Sequence, residues 1–247
     1  ADLSGTVLAG AGLDIAGSDV TEVGGRLTLQ TDDAIFVSAG FTLSLTSGVS
    51  GTLAGGGSSG AGDLLTLALE VDEAFVGTGA SADGATLVLG DETGFYAAGG
   101  DLTLAVLDTG ADSYLGFDGT LAMFEARGFD GVEIGLQGFE LAFNTATGAT
   151  LLDWSAGIGG ATVPGVDGAT PVSISGTLSA GFGSALLLSG GFDASVTSGF
   201  DGGAGIGTGE LFALDLENAR LFAGANGRAA ALADGEAALE AAGADGV

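Results

Sequence analysis

The chain has no cysteine and no histidine, and only 2 prolines, 1 tryptophan and 1 methionine among 247 residues. Without cysteine there is no disulfide and no thiolate ligand. Without histidine there is no imidazole to bind a metal or to activate a nucleophile. Lysine is also missing: the 4 basic residues are Arg26, Arg127, Arg220 and Arg228, against 32 acidic ones, a formal net charge of −28. That balance excludes a nucleic-acid surface, which needs cations for phosphate, and it excludes docking on anionic lipid. It suits a protein kept soluble in high salt or one that meets divalent cations. No run of about eighteen apolar residues occurs, so no membrane helix is expected. Aromatics are too few and scattered for the two girdles of an outer-membrane barrel. No membrane insertion is therefore expected. Residues 1–20 lack the basic start and continuous apolar stretch of a signal peptide.

What the chain has in quantity is glycine, 50 residues, together with 46% hydrophobic residues. The glycines follow no collagen period. They punctuate apolar runs, which is the composition of strands and tight turns. Gly25–Gln30, Ala34–Thr46, Leu64–Val71, Ala74–Gly79, Thr86–Leu89, Gly94–Leu107, Ser113–Arg127, Val132–Asn144, Thr150–Ser155, Val172–Ala180, Ala185–Leu188 and Phe192–Thr197 read as strands, with two more near Gly5–Ala9 and Gly12–Ala16. Many alternate with period two: Leu65, Leu67 and Leu69 face one way, Thr66, Ala68 and Glu70 the other. The expectation is antiparallel sheet with an apolar face buried as the core and a small, polar face wet. Gly40 is a candidate bulge, Gly99-Gly100 a break, and Gly48–Gly62 a Gly/Ser loop. Trp154 and the 14 phenylalanines are expected in the core.

The chain also repeats itself. Leu67, Leu69, Glu70, Phe75 and Gly77 recur as Leu214, Leu216, Glu217, Phe222 and Gly224, 147 positions on. Gly25, Leu27 and Phe41–Gly48 recur as Gly176, Leu178 and Phe192–Gly199, 151 positions on. A small indel near 200–210 reconciles the two offsets. Residues 1–150 thus read as a first unit and 151–247 as a partial second one, a window on a longer tandem array. Ala229–Ala242 has helical propensity, so 229–247 is expected to be a weakly ordered or helical tail. The fold class is all-β: an elongated antiparallel repeat, either a solenoid-like rod or tandem β-domains.

Four short motifs bear on chemistry. Ala105–Ser113 (AVLDTGADS) resembles the active-site loop of retroviral-type aspartic proteases. The resemblance makes Asp108 one of two carboxylates sharing a proton across a dimer, with Thr109 and Gly110 shaping the loop. The hydrophobic-Gly-Arg segment of that family is missing, and the flanking strands independently predict a hairpin turn. Gly56–Gly60 fits a nucleophile elbow at Ser58, but the chain has no histidine base. Gly55–Gly60 fits GxGxxG, but within a loop rather than between strand and helix. Gly202–Gly207 has part of a calcium β-roll unit without its aspartate or its repetition. The candidate calcium ligands are turn carboxylates, Asp108 with Asp112 and Asp91 with Glu92.

FVGTGAS (Phe75–Ser81), GFYAAGGDLTLAV (Gly94–Val106), SYLGFDG (Ser113–Gly119) and GFELAFNTATGATLLDWS (Gly138–Ser155) carry a further likeness. Through them the chain resembles the acidic, Gly-rich tandem repeats of giant secreted or surface proteins of marine and salt-adapted bacteria. The resemblance implies an extracellular or cell-surface place and an extending, adhesive or fibre-forming role. The functional expectation is a non-enzymatic structural repeat. It would build a stalk or filament by strand pairing with neighbouring repeats or copies of itself. A calcium-dependent adhesin module is the alternative, and an aspartic protease through Asp108-Thr109-Gly110 a remote one.

Overall fold

The computed structural model describes residues 20–31, 34–84, 86–148, 150–201, 208–227, 238 and 243–246. Its strands are β1 (Val20–Thr31), β2 (Ile35–Val49), β3 (Thr52–Leu53), β4 (Gly62–Thr78), β5 (Ser81–Asp83), β6 (Thr86–Val88) and β7 (Thr93–Asp108). Then follow β8 (Ser113–Arg127), β9 (Val132–Ala146), β10 (Leu152–Asp153), β11 (Val172–Phe182), β12 (Leu186–Asp201), β13 (Thr208–Ala225) and β14 (Asp245–Gly246). The long strands form one antiparallel sheet in the order β1-β2-β4-β7-β8-β9-β11-β12-β13, with the two residues of β14 at the end. Each strand pairs with the next long one, so the sheet is a meander, and among the described residues β1 and β13 do not pair to close it into a barrel.

Several expected breaks are bulges inside longer strands. Leu64–Val71 and Ala74–Gly79 are one strand, β4, with Asp72 as an extra residue: Val71 pairs Ala39 and Glu73 pairs Ser38. Gly40 is in regular register; the irregularity lies across the ladder from it. Gly99 stands opposite Asp72, Ala122 opposite Gly99, and Gly138 opposite Ala122. Gly99 and Gly138 have φ of 63° and 54°, a conformation glycine adopts without Cβ strain. Ala185–Leu188 and Phe192–Thr197 are likewise one strand, β12. The expected strands before residue 20 and the 229–242 segment lie outside, or almost wholly outside, the described residues.

The registers sort side chains onto two faces. One carries Leu27 and Leu29; Val37, Phe41 and Leu43; Leu65, Leu67 and Leu69; Leu102, Leu104 and Val106; Leu115, Phe117 and Leu121; Leu136, Leu141 and Phe143; Ile174 and Leu178; Leu188 and Phe192; and Leu214 and Leu216. This face was expected to be the core, and it is not. Its large side chains are half-exposed or exposed, with Phe182 at 56%, Phe212 at 65% and Leu216 at 65%. The buried clusters lie on the opposite, polar face, one at each end of the strands. At one end Leu64, Leu107, Tyr114 and Ala142 are covered by Leu152, Trp154, Ile158, Val163 and Val166 of the segment between β9 and β11. At the other, Phe36, Phe75 and Tyr96 are covered by Ala80 and Leu87, around the β5–β6 hairpin. Trp154 is in the core as expected; most phenylalanines are not.

Close packing and hydrogen bonds fix the cover between β9 and β11. A Cβ on Gly116 would stand 2.7 Å from the Trp154 indole, so only glycine lets the ring lie on β8. Asn144, buried on β9, donates from Nδ2 to the carbonyls of Leu152 and Asp167, both at 2.7 Å, and ties the covering segment to the sheet.

The sequence repeat has a counterpart in the registers. Gly25 pairs Phe41 and Gly176 pairs Phe192. Gly40 pairs Glu70 and Gly191 pairs Glu217; Phe36 pairs Phe75 and Leu187 pairs Phe222. Even the glycine clasp over Phe75, where Gly77 meets Gly94, reappears over Phe222, where Gly224 meets Gly246. The strands on either side of residue 150 are joined by the β9–β11 ladder into the same sheet.

Trp154→Ala is expected to cost roughly 3–5 kcal/mol in urea unfolding, whereas Leu214→Ala on the apolar face should stay within about 0.5 kcal/mol. Similar losses for the two would overturn the assignment of the core to the polar face.

Candidate functional site

The polar face between the two buried clusters is the part of the molecule with chemistry to offer. One row of directly paired residues crosses the whole sheet: Arg26, Gly40, Glu70, Asp101, Thr120, Glu140, Ser175, Asp193 and Asp215. Neighbouring strands are about 4.8 Å apart, so Glu70 faces Asp101 and Asp193 faces Asp215 at close range. All five carboxylates are exposed to solvent. A cavity of about 430 Å³ opens beside the row, lined by Arg26, Gly40, Thr42, Glu70, Asp101 and Thr103. A second, of about 270 Å³, is lined by Glu125, Glu133, Gln137 and Ser179. Both hollows are on this face. Arg26 at the edge of the row pairs with the bulge residue Asp72, which also accepts a hydrogen bond from Ser38 Oγ at 3.1 Å. The row is a concentration of negative charge that draws cations and holds water; it has no nucleophile–base pair.

The two expected pairs of calcium ligands lie far apart. Asp108 and Asp112 are at one end of β7, Asp91 and Glu92 at the other, separated by a 16-residue strand that spans about 50 Å. Asp108 caps its own turn: its Oδ1 accepts the Gly110 N–H at 2.8 Å. Thr109 Oγ1 donates to the Asp112 carbonyl at 2.9 Å and accepts the Asp112 N–H at 3.1 Å. With Gly110 at φ 77° this is a self-contained hairpin turn. Among the described residues no three acidic side chains converge as a metal site. Ser58 accepts the Gly60 N–H at 3.4 Å within its loop. Gly202–Gly207 lies outside the described residues.

Glu92 is buried and already partnered. Its Oε1 accepts from Arg127 at 2.9 Å and its Oε2 from the Gly90 N–H at 2.5 Å. Arg127 also donates to Glu125 and lies 5.2 Å over the Tyr96 ring. The Arg127 hydrogen bond holds the Glu92 carboxyl below its ordinary 4.5, outweighing burial, which pushes it up.

No family model, curated protein or solved structure matches this chain. The site has to be read from its own geometry. Sequence inspection singled out carboxylates that sit in turns and missed the row, because its members are far apart in the chain and meet only through register. The available signal was an acidic residue at the middle of successive alternating strands.

Two outcomes follow from the charges. Glu92, with its lowered folded pKa, contributes stability that is present above 4.5 and lost as pH falls through the folded value. Glu92→Gln should therefore lower Tm near pH 7 and leave it unchanged well below pH 4; an equal gap at both ends of a Tm–pH series would remove the ion pair from the account. Asp101→Asn should stabilise the sheet at low salt by up to about 1 kcal/mol, since like charges then no longer face each other. The gain should shrink towards about 1 M salt. A gain independent of salt would mean that repulsion along the row is not felt.

Proposed function

We propose that this chain is a structural protein whose repeat lays down one continuous antiparallel sheet, six strands to a unit. The observation that carries this is the recurrence of register: β11, β12 and β13 pair with one another as β1, β2 and β4 do. In this reading the β9–β11 ladder is the joint between units, and each unit adds β1, β2, β4, β7, β8 and β9 to the sheet. Hydrogen bonds then run unbroken across every joint. Load applied across the strands is shared by long ladders of 11–18 residues. Partners are neighbouring repeats or copies of the chain, and the product is a stalk, fibre or filament. Its placement outside a bacterial cell rests on the sequence resemblance. Asp108 and Glu92 serve the sheet, one closing a turn and the other anchoring Arg127, so neither is assigned to a cation or to catalysis.

The test is a ladder of chains with one, two or three copies of residues 1–150 ahead of residues 151–247. Six strands at about 4.8 Å add about 29 Å across the strands per copy. Electron microscopy should show that increment along the contour, whether the sheet is flat or curled. Separate globules joined by thin connections would refute the continuous sheet.

A further inference from the structure

We propose that the apolar face of the sheet is a hydrocarbon-contacting surface, and that its occupant is the acyl-chain layer of a phospholipid membrane. The first support is compositional. Along Ile35–Leu45, Leu65–Val76, Phe95–Val106, Leu115–Ala126, Ile134–Phe143, Val172–Phe182 and Leu186–Val196, every residue on this face is Ile, Leu, Val, Phe, Ala or Gly. The bulge residue Asp72 turns to the polar face, onto Ser38 and Arg26; polar residues enter the band at the edge strand β1, where Thr21 pairs Leu45 and Thr31 pairs Ile35, and Asn218 stands at the bulge of the end strand β13. Interfaces between proteins are only about 57–65% apolar and carry polar rims. A face free of hydroxyls and charges over seven successive strands, in a chain of net charge −28, has the composition of a surface that meets no water and no polar partner.

The second support is dimension. From β2 to β12 the band is as tall in one strand as in the next, and β11, with 11 residues, lies wholly within it; only the edge strand β1 has a shorter run, Val23–Leu29. Tilted strands of about 9–11 residues cross a bilayer, and the apolar belt of membrane sheets is about 25 Å tall. Across the eight strands from β2 to β13 the band covers on the order of 1,300 Å², against about 300–600 Å² for the largest patch on an ordinary soluble monomer.

The third is what the rest of the chain does. The segment between β9 and β11 and the β5–β6 hairpin both fold onto the polar face, and the hollows are there too. Among the described residues nothing covers the apolar face. Scarce aromatics argue from composition against a membrane barrel; composition averages the two faces, and the face census separates them. Hydrocarbon tolerates no unpaired strand edge. The edges of β1 and β13 must then be paired by further units, a clause that rests on the sheet-building reading; the face assignment does not.

The absence of native cysteine makes the test direct. Single cysteines at Leu67, Leu104 and Leu141 on the apolar face, and at Ala68, Thr103 and Ser175 on the polar face, would be spin-labelled. The full chain would then be folded with phosphatidylcholine vesicles. The oxygen-to-nickel-chelate collision ratio should be several-fold higher at the first three sites than at the second three, and unlabelled protein should float with the vesicles. Leu104→Glu should abolish flotation and Thr103→Glu should not. Labels at Leu67, Leu104 and Leu141 that meet nickel as freely as Thr103 would overturn the proposal, as would protein left at the bottom of the gradient. Labels there that are immobile and reached by neither reagent would assign the face to a second copy of the chain instead. The tandem-length measurement is unaffected by any of these results, so the two readings fail separately.

Discussion

Everything in this molecule depends on keeping odd and even positions in step from strand to strand. A strand has period two, so one extra residue sends every later side chain to the other face. The sheet inserts that residue in four adjacent strands at the same height: Asp72, Gly99, Ala122 and Gly138 lie across from one another. All four flip together, and the faces stay pure on both sides of the seam. β1, β2, β11 and β12 carry no such residue, and the register shifts fall where the two kinds of strand meet. Separation into an apolar and a polar face is the product of this coordinated slip.

The polar face is stabilised at its two ends rather than at its middle. Trp154 over Gly116 and Phe75 over the Gly77–Gly94 contact are close-packed anchors where backbone and ring meet. Between them the face is left to water, carboxylates and a few arginines. Such an arrangement concentrates cohesion where the chain turns and leaves the central strands to be held by ladder hydrogen bonds. The acidic row is affordable because its members are solvated, so their repulsion is softened by water and by salt.

The strands were legible in the sequence because alternation is a local signal. Ser113–Arg127 was readable to the residue, since no ambiguity of flanking turns intrudes. Strand continuity was not. At Asp72 and at Gly99 the alternation changes phase, which in one dimension looks like an ending. Only the partner strand, with its own extra residue, makes it a bulge. The identity of the core was misread for a related reason: an apolar face is buried by default, and nothing local says that the covering loops go to the other side. Asn144 and Gly116 hold those loops, but each gains meaning only from a segment that follows in the chain. The turn at Asp108–Asp112 was correctly expected as a hairpin, while the carboxylate row depends on eight registers at once and has no local signature.

The seam also bears on how such a chain is free to change in descent. A single-residue insertion within one strand would turn half of that strand inside out unless its neighbours acquired the same insertion. Loops carry no such penalty: the four-residue difference between the two sequence offsets falls near residues 200–210, where β12 gives way to β13. Lineages can therefore lengthen or shorten connections at will. They can alter the strands themselves only in concert, or by copying a whole unit with its slips already matched.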